Sequence, residues 1–81
     1  MNESDIYLAL TELFRELFDD NTITLTPETT ADDIADWDSF MHLNIIVAVE
    51  KRFGIKLTTR EIERLSKVGD MAEAIRLKAA S

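Results

Sequence analysis

The sequence has 81 residues, no cysteine, and a net charge of −7 from sixteen acids against nine lysines and arginines. A chain this short makes one domain, 1–81, that buries only about 60% of the surface its unfolded form exposes, so an enclosed, preorganised active site has little room. Without cysteine there is no disulfide, thiolate nucleophile or cysteine metal site, and the acidic balance repels nucleic acid.

The start, Met1-Asn2-Glu3-Ser4-Asp5, lacks the basic and apolar regions of a signal peptide. The longest apolar run, Ile45 to Val49, falls far short of the roughly 20 residues that span a bilayer. These features predict a cytoplasmic protein without a membrane segment, and Met1 with a defined last helix suggests a free-standing chain. Charge is uneven: residues 1–38 hold eleven acids and one base, Arg15, whereas residues 39–81 hold five acids and eight bases. The acidic half reads as a collar ending at Ser39, or simply as a solvated face.

Helical spacing dominates, and no segment alternates long enough for a strand. Ile6, Leu10, Leu13 and Leu17, widened by Tyr7, Phe14 and Phe18, predict a first helix from about Ser4 to Phe18, with Asn2, Ser4 and Asp5 all able to cap it. Residues 19–37 are rich in threonine and aspartate and contain Pro27, which predicts a long loop pinned by Leu25, Ile34 and Trp37. A loop of this length in a small domain is usually functional.

A second helix is predicted from Asp38 as N-cap to Phe53, with Gly54 as C-cap. Its stripe of Leu43, Ile46 and Val49, with Ile45 and Phe53, suits a core. Phe40, Met41 and Val47 then fall on another face with Asn44 and Lys51. Such a helix is either central in a bundle or contacts a partner. Ile55-Lys56-Leu57 is an extended link. Thr58 and Glu61 form a capping box for a short helix with Ile62 and Leu65. Asp70 to Glu73 repeats that cap logic and opens a last helix, with Met71, Ile75 and Leu77 on one face.

The informative residues are Trp37-Asp38-Ser39-Phe40, where the long loop meets the second helix. They resemble the Asp-Ser-Leu signature of acyl carrier proteins, with Phe40 in place of leucine. The segments Val49-Glu50-Lys51-Arg52-Phe53-Gly54-Ile55 and Val68-Gly69-Asp70-Met71 resemble the end of that family's second helix and the start of its last, so the likeness covers essentially the whole chain. It implies an all-α, acyl-carrier-protein-like four-helix bundle of three main helices and one short one, with the long loop between the first two. Physical chemistry agrees: a serine just after an N-cap sits at the positive end of a helix, where a phosphodiester is favoured.

The resemblance further implies that Ser39 receives 4'-phosphopantetheine from coenzyme A through a phosphopantetheinyl transferase, and that Asp38 helps orient that enzyme and its metal. The arm then holds an acyl or aminoacyl group as a thioester. Phe40, Met41, Asn44 and Val47 correspond to the partner-docking face; core positions are an equally good reading of Phe40, Met41 and Val47. Fatty-acid carriers are acidic on this face. Met41 and Asn44 stand where acids are usual, and Lys51, Arg52, Lys56, Arg60, Arg64 and Lys67 add base. Standard fatty-acid synthase enzymes should therefore bind poorly. The expectation is a specialised, monomeric, non-enzymatic carrier, served by a dedicated ligase and downstream transferases. The alternatives are an aminoacyl or peptidyl carrier of a non-ribosomal pathway and an unmodified interaction module with the same fold.

His42, three residues after Ser39, raises a Ser-His couple, but the sequence offers no placed orienting acid, oxyanion hole or pocket. Asp19 and Asn21 suggest a calcium loop that lacks its sixth-position glycine and twelfth-position glutamate. No protein metal site is expected beyond weak cation binding by Asp32, Asp33, Asp36 and Asp38.

Overall fold

The computed structural model describes residues 2–80, and among these the chain is helical with no strands. Helix α1, Glu3–Phe18, starts one residue before the predicted Ser4 because Asn2 is its cap: Asn2 Oδ1 accepts from the Asp5 N–H at 2.9 Å. Glu3 and Asp5 in its first turn complement the helix dipole. The helix ends where Asp19 enters the left-handed region, φ 50°, and donates its N–H to the last-turn carbonyls. Its buried face is centred on Ile6, Leu10 and Phe14, with Ala9; Tyr7, Leu13, Leu17 and Phe18 are half-buried at the margins. The predicted stripe is thus rotated slightly, and Phe14 moves from its edge to its middle.

The long loop is held by backbone groups as much as by side chains. Arg15 Nε donates to the Ile23 carbonyl at 2.9 Å, and Ile23 is buried in the same core cluster as the expected anchor Trp37. Leu25 and Ile34 pack against the core half-buried. The hydroxyl of buried Thr29 accepts the Thr26 N–H, and a single 3-10 turn follows at Ala31–Asp33. Two loop carbonyls then accept from the start of the last helix: Val68 N–H to Thr29 O at 2.8 Å, and Gly69 N–H to Pro27 O at 2.9 Å. Those N–H groups would otherwise lack partners in the first turn.

Helix α2, Ser39–Phe53, carries the predicted caps: Asp38 before it, and Gly54 after it at φ 65°, where a side chain would be strained. Ile45, Ile46 and Val49 enter the core. Leu43 does not. It was expected in the core stripe but is 59% exposed. The helix is apolar on two opposite faces, so apolar spacing alone cannot fix its rotation.

Helix α3, Thr59–Glu63, has the predicted capping box: Thr58 N–H donates to Glu61 Oε1, and Glu61 N–H to Thr58 Oγ1. Helix α4, Val68–Ala80, starts two residues before Asp70. Asp70 is therefore not its N-cap; its Oδ2 reaches back to accept from the Ser66 N–H and Oγ–H and the Lys67 N–H. Those bonds, led by the Ser66 N–H, hold its carboxyl below the ordinary 3.8. Val68, Met71, Ala72 and Ile75 are buried, while Leu77, expected on the same face but two residues past Ile75 and so on nearly the opposite side of the helix, is exposed. Helix α1 packs against both α2 and α4, and the core lies where the three meet.

Candidate functional site

Ser39 is the first residue of α2, and the chain reaches it through a tight turn. Asp36 lies in the left-handed region, φ 71°, which aspartate tolerates better than most residues. The Trp37 N–H donates to Ile34 O, and the Asp38 N–H to Asp36 O at 3.0 Å. Asp38 Oδ1 accepts the Met41 N–H at 2.8 Å, and Asp38 O accepts the His42 N–H at 2.9 Å. This leaves the first two N–H groups of the helix, those of Ser39 and Phe40, without an intrahelical acceptor. The Ser39 side chain is exposed and its hydroxyl is bonded to no described residue. The serine is thus reachable and chemically uncommitted, beside a helix end that favours an anion.

An open groove of about 650 Å³ begins at this serine. Ser39, His42 and Leu43 line it from α2, Trp37, Asp38 and Ala31 from the loop, and Leu65 and Ser66 from the link that follows α3. Its lining is mostly apolar, which suits a flexible arm with a short polar attachment end. Trp37 is the hinge between groove and core. Its indole meets Phe14 edge-on at 5.2 Å and lies 6.4 Å from Phe18. On its other side its Nε1–H donates to His42 Nδ1 at 3.2 Å, with the two rings stacked at 6.0 Å and 20°. Sequence reading singled out both residues but missed their pairing; the spacing of five across a loop–helix junction carries no standard signal.

The Ser-His couple does not form: Nδ1 of His42 is engaged by Trp37, and no hydrogen bond joins His42 to Ser39. The acidic collar is likewise dispersed. Asp33 caps Thr30 and Asp38 caps Met41, and among the described residues no group of three or more acidic or histidine side chains could hold a metal ion.

Of the four expected docking residues, Phe40 is 74% exposed and Val47 49% exposed, and Asn44 is exposed beside them. Met41 departs from this set: it is half-buried and packs against the core. Leu43 takes its place, so Phe40, Leu43, Asn44, Val47 and Lys51 form one outward face at spacings of three and four. No acid lies on that face. Glu50 is turned to the backbone, where its Oε2 accepts the Leu57 N–H at 2.9 Å, and Arg52 pairs with Glu12 at 3.5 Å.

The family model described as "Phosphopantetheine attachment site" matches residues 9–75. The acyl carrier protein of Acidothermus cellulolyticus is 29% identical over 75 residues, covering 93% of this chain and 89% of that protein. Acyl carrier protein MbtL of Mycobacterium sp. (strain MCS) is 31% identical over 80 residues, covering 99% and 90%. The solution structure of holo acyl carrier protein from Geobacter metallireducens superposes with a TM-score of 0.84 at 47% identity, over 89% of this chain and 83% of that one.

Proposed function

The chain belongs to the acyl carrier proteins, the family that bears 4'-phosphopantetheine, and we propose that Ser39 is the residue to which its arm is attached. The observation that carries this reading is the placement of Ser39: an exposed, unbonded hydroxyl on the first residue of α2, at the mouth of an apolar groove. The helix terminus there suits a phosphodiester, and the groove has room for the arm's apolar stretch. When bound, the arm supplies the thiol that holds an acyl group as a thioester, which this cysteine-free chain lacks.

Asp38 has two tasks in this reading. Its Oδ1 holds the first turn in shape by capping Met41, and its other oxygen is bonded to no described residue, available to a transferase and its metal. The outward face of Phe40, Leu43, Asn44 and Val47 is the surface offered to partner enzymes, with Met41 supporting it from below. Because that face has no acid and ends at Lys51, fatty-acid synthase enzymes that dock through basic patches bind it weakly. The chain is one carrier domain, a cytoplasmic monomer without catalytic activity of its own, serving a dedicated ligase and the transferases that follow it. The same unacidic face also suits an aminoacyl or peptidyl carrier; the acid that a purified ligase loads onto the arm separates the two.

The test is intact mass after incubation with coenzyme A, magnesium and a broad-specificity phosphopantetheinyl transferase. One added phosphopantetheine on the native chain and none on Ser39→Ala is the expected result. A folded native chain that gains no mass sinks the assignment and leaves an interaction module with a carrier fold.

A further inference from the structure

The groove at Ser39 contains a donor that no part of the carrier reading has used. We propose that His42, through Nε2–H, donates a hydrogen bond to the phosphodiester that joins Ser39 to its arm, and that Trp37 holds the imidazole in the tautomer and orientation this requires. The proposal rests on Ser39 being the attachment residue.

Three observations carry it. The first is the tautomer. The indole N–H of Trp37 can only donate, so His42 Nδ1, 3.2 Å away, must accept, and the ring proton lies on Nε2, the nitrogen on the other side of Cε1. The second is direction. Side chains on a helix lean toward its N-terminus and cover the preceding turn. His42 follows Ser39 by three residues, a spacing that puts two β-carbons about 5–6 Å apart. The stacking on Trp37, which precedes the helix, shows that the ring takes this lean. Its Nε2 edge is then within reach of an oxygen on a phosphate esterified to Ser39.

The third observation is elimination. No lysine or arginine lines the groove, and its one charged side chain, Asp38, would repel a phosphate. The Trp37 N–H is spent on His42, and the Ser66 hydroxyl on Asp70 at 2.9 Å. The Ser39 hydroxyl becomes the ester itself. Among the described residues that line the groove, His42 Nε2–H is the side-chain donor left for the diester. With the Ser39 and Phe40 N–H groups at the helix end, it completes a three-donor cradle. Trp37 acts through His42 and is a positioning residue.

The experiment compares apo and holo native protein by long-range proton–nitrogen spectra of the imidazole and by phosphorus NMR of the diester. The native comparison contains no substitution, so a folding defect cannot mask the answer. Loading is expected to shift the Nε2 resonance and leave Nδ1 and the Trp37 indole resonance in place. The phosphorus resonance of holo His42→Leu should move from the native position, and His42→Gln, which places an amide N–H near Nε2, should restore most of it. Trp37→Phe should leave the imidazole a mixture of tautomers. An unchanged Nε2 resonance in protein whose mass shows full loading, or a native phosphorus shift in His42→Leu, overturns the proposal while leaving Ser39 as the attachment residue. Failure to gain mass overturns both.

Discussion

Gly69→Ala isolates the contact on which the long loop depends. A Cβ at position 69 would stand 2.8 Å from the Pro27 carbonyl oxygen and 3.3 Å from the Pro27 Cα and Cβ. All three belong to the backbone or to a rigid ring, so nothing flexible can swing away. The loop must retreat, and the Gly69–Pro27 and Val68–Thr29 hydrogen bonds must stretch with it. Each such bond contributes about 1 kcal/mol net, and about 1–3 kcal/mol where the N–H left behind is buried, as it is at Val68. Alanine's better helix propensity returns at most about 1 kcal/mol, and less in a first turn. The expected loss is therefore about 1–3 kcal/mol, which in a domain of this size lowers the melting temperature by about 5–20 °C. Thermal denaturation followed by circular dichroism reads it, with amide exchange at Val68 and Gly69 as a local check. Gly54→Ala is the control: beyond its chain neighbours no atom of the described residues lies within 4 Å of its added carbon, yet φ 65° makes it cost about 1 kcal/mol. A Gly69→Ala chain that melts at or above the native temperature would refute the reasoning.

Three further outcomes follow from the packing and charge. Leu43→Ser should change stability by no more than about 0.5 kcal/mol while Ile46→Ser costs several; equal losses in urea denaturation would mean that the rotation of α2 is wrong. Asp70 is held below 3.8 in the folded chain, chiefly by the Ser66 N–H, so the unfolded chain binds its proton more readily. That contribution is full above the ordinary carboxylate value and is withdrawn as pH falls through the folded one, so Asp70→Asn should flatten the stability–pH curve between about pH 5 and pH 3. A curve parallel to the native one would assign Asp70 no such role. Residues 1–38 carry eleven acids and one base, so moderate salt or magnesium should raise the apo melting temperature by screening that repulsion; no change on adding either counts against it.

What the sequence made legible divides along physical lines. Caps were readable because each is a local bargain between a side chain and a backbone only a few residues away. Asp38, Gly54 and the Thr58–Glu61 box stand where they were expected. Rotation of α2 was not readable. Five consecutive apolar residues, Ile45 to Val49, give no polar marker of which side faces water, and the answer depends on α1 across the core. Asp70 misled for a related reason. Its carboxylate does cap backbone N–H groups, but backwards, because the loop carbonyls of Pro27 and Thr29 had already taken the next two donors. No sequence window of ordinary length contains both partners. The Trp37–His42 pair was hidden by its geometry: it spans the boundary between irregular and helical backbone, where neither periodicity applies.

The closing of α1 against α4 joins the first and last of the helices described. Ile6 and Leu10 share one buried cluster with Val68, Met71 and Ile75, which are synthesised well after them. A nascent chain that has made only α1, the loop and α2 therefore exposes an apolar seam and lacks the acceptor–donor pairs that fix the loop ahead of Ser39. Its core closes only when almost the whole domain has been synthesised. The loop that leads to Ser39 is thereby fixed in part by hydrogen bonds that only α4 can supply, through the Val68 and Gly69 N–H groups.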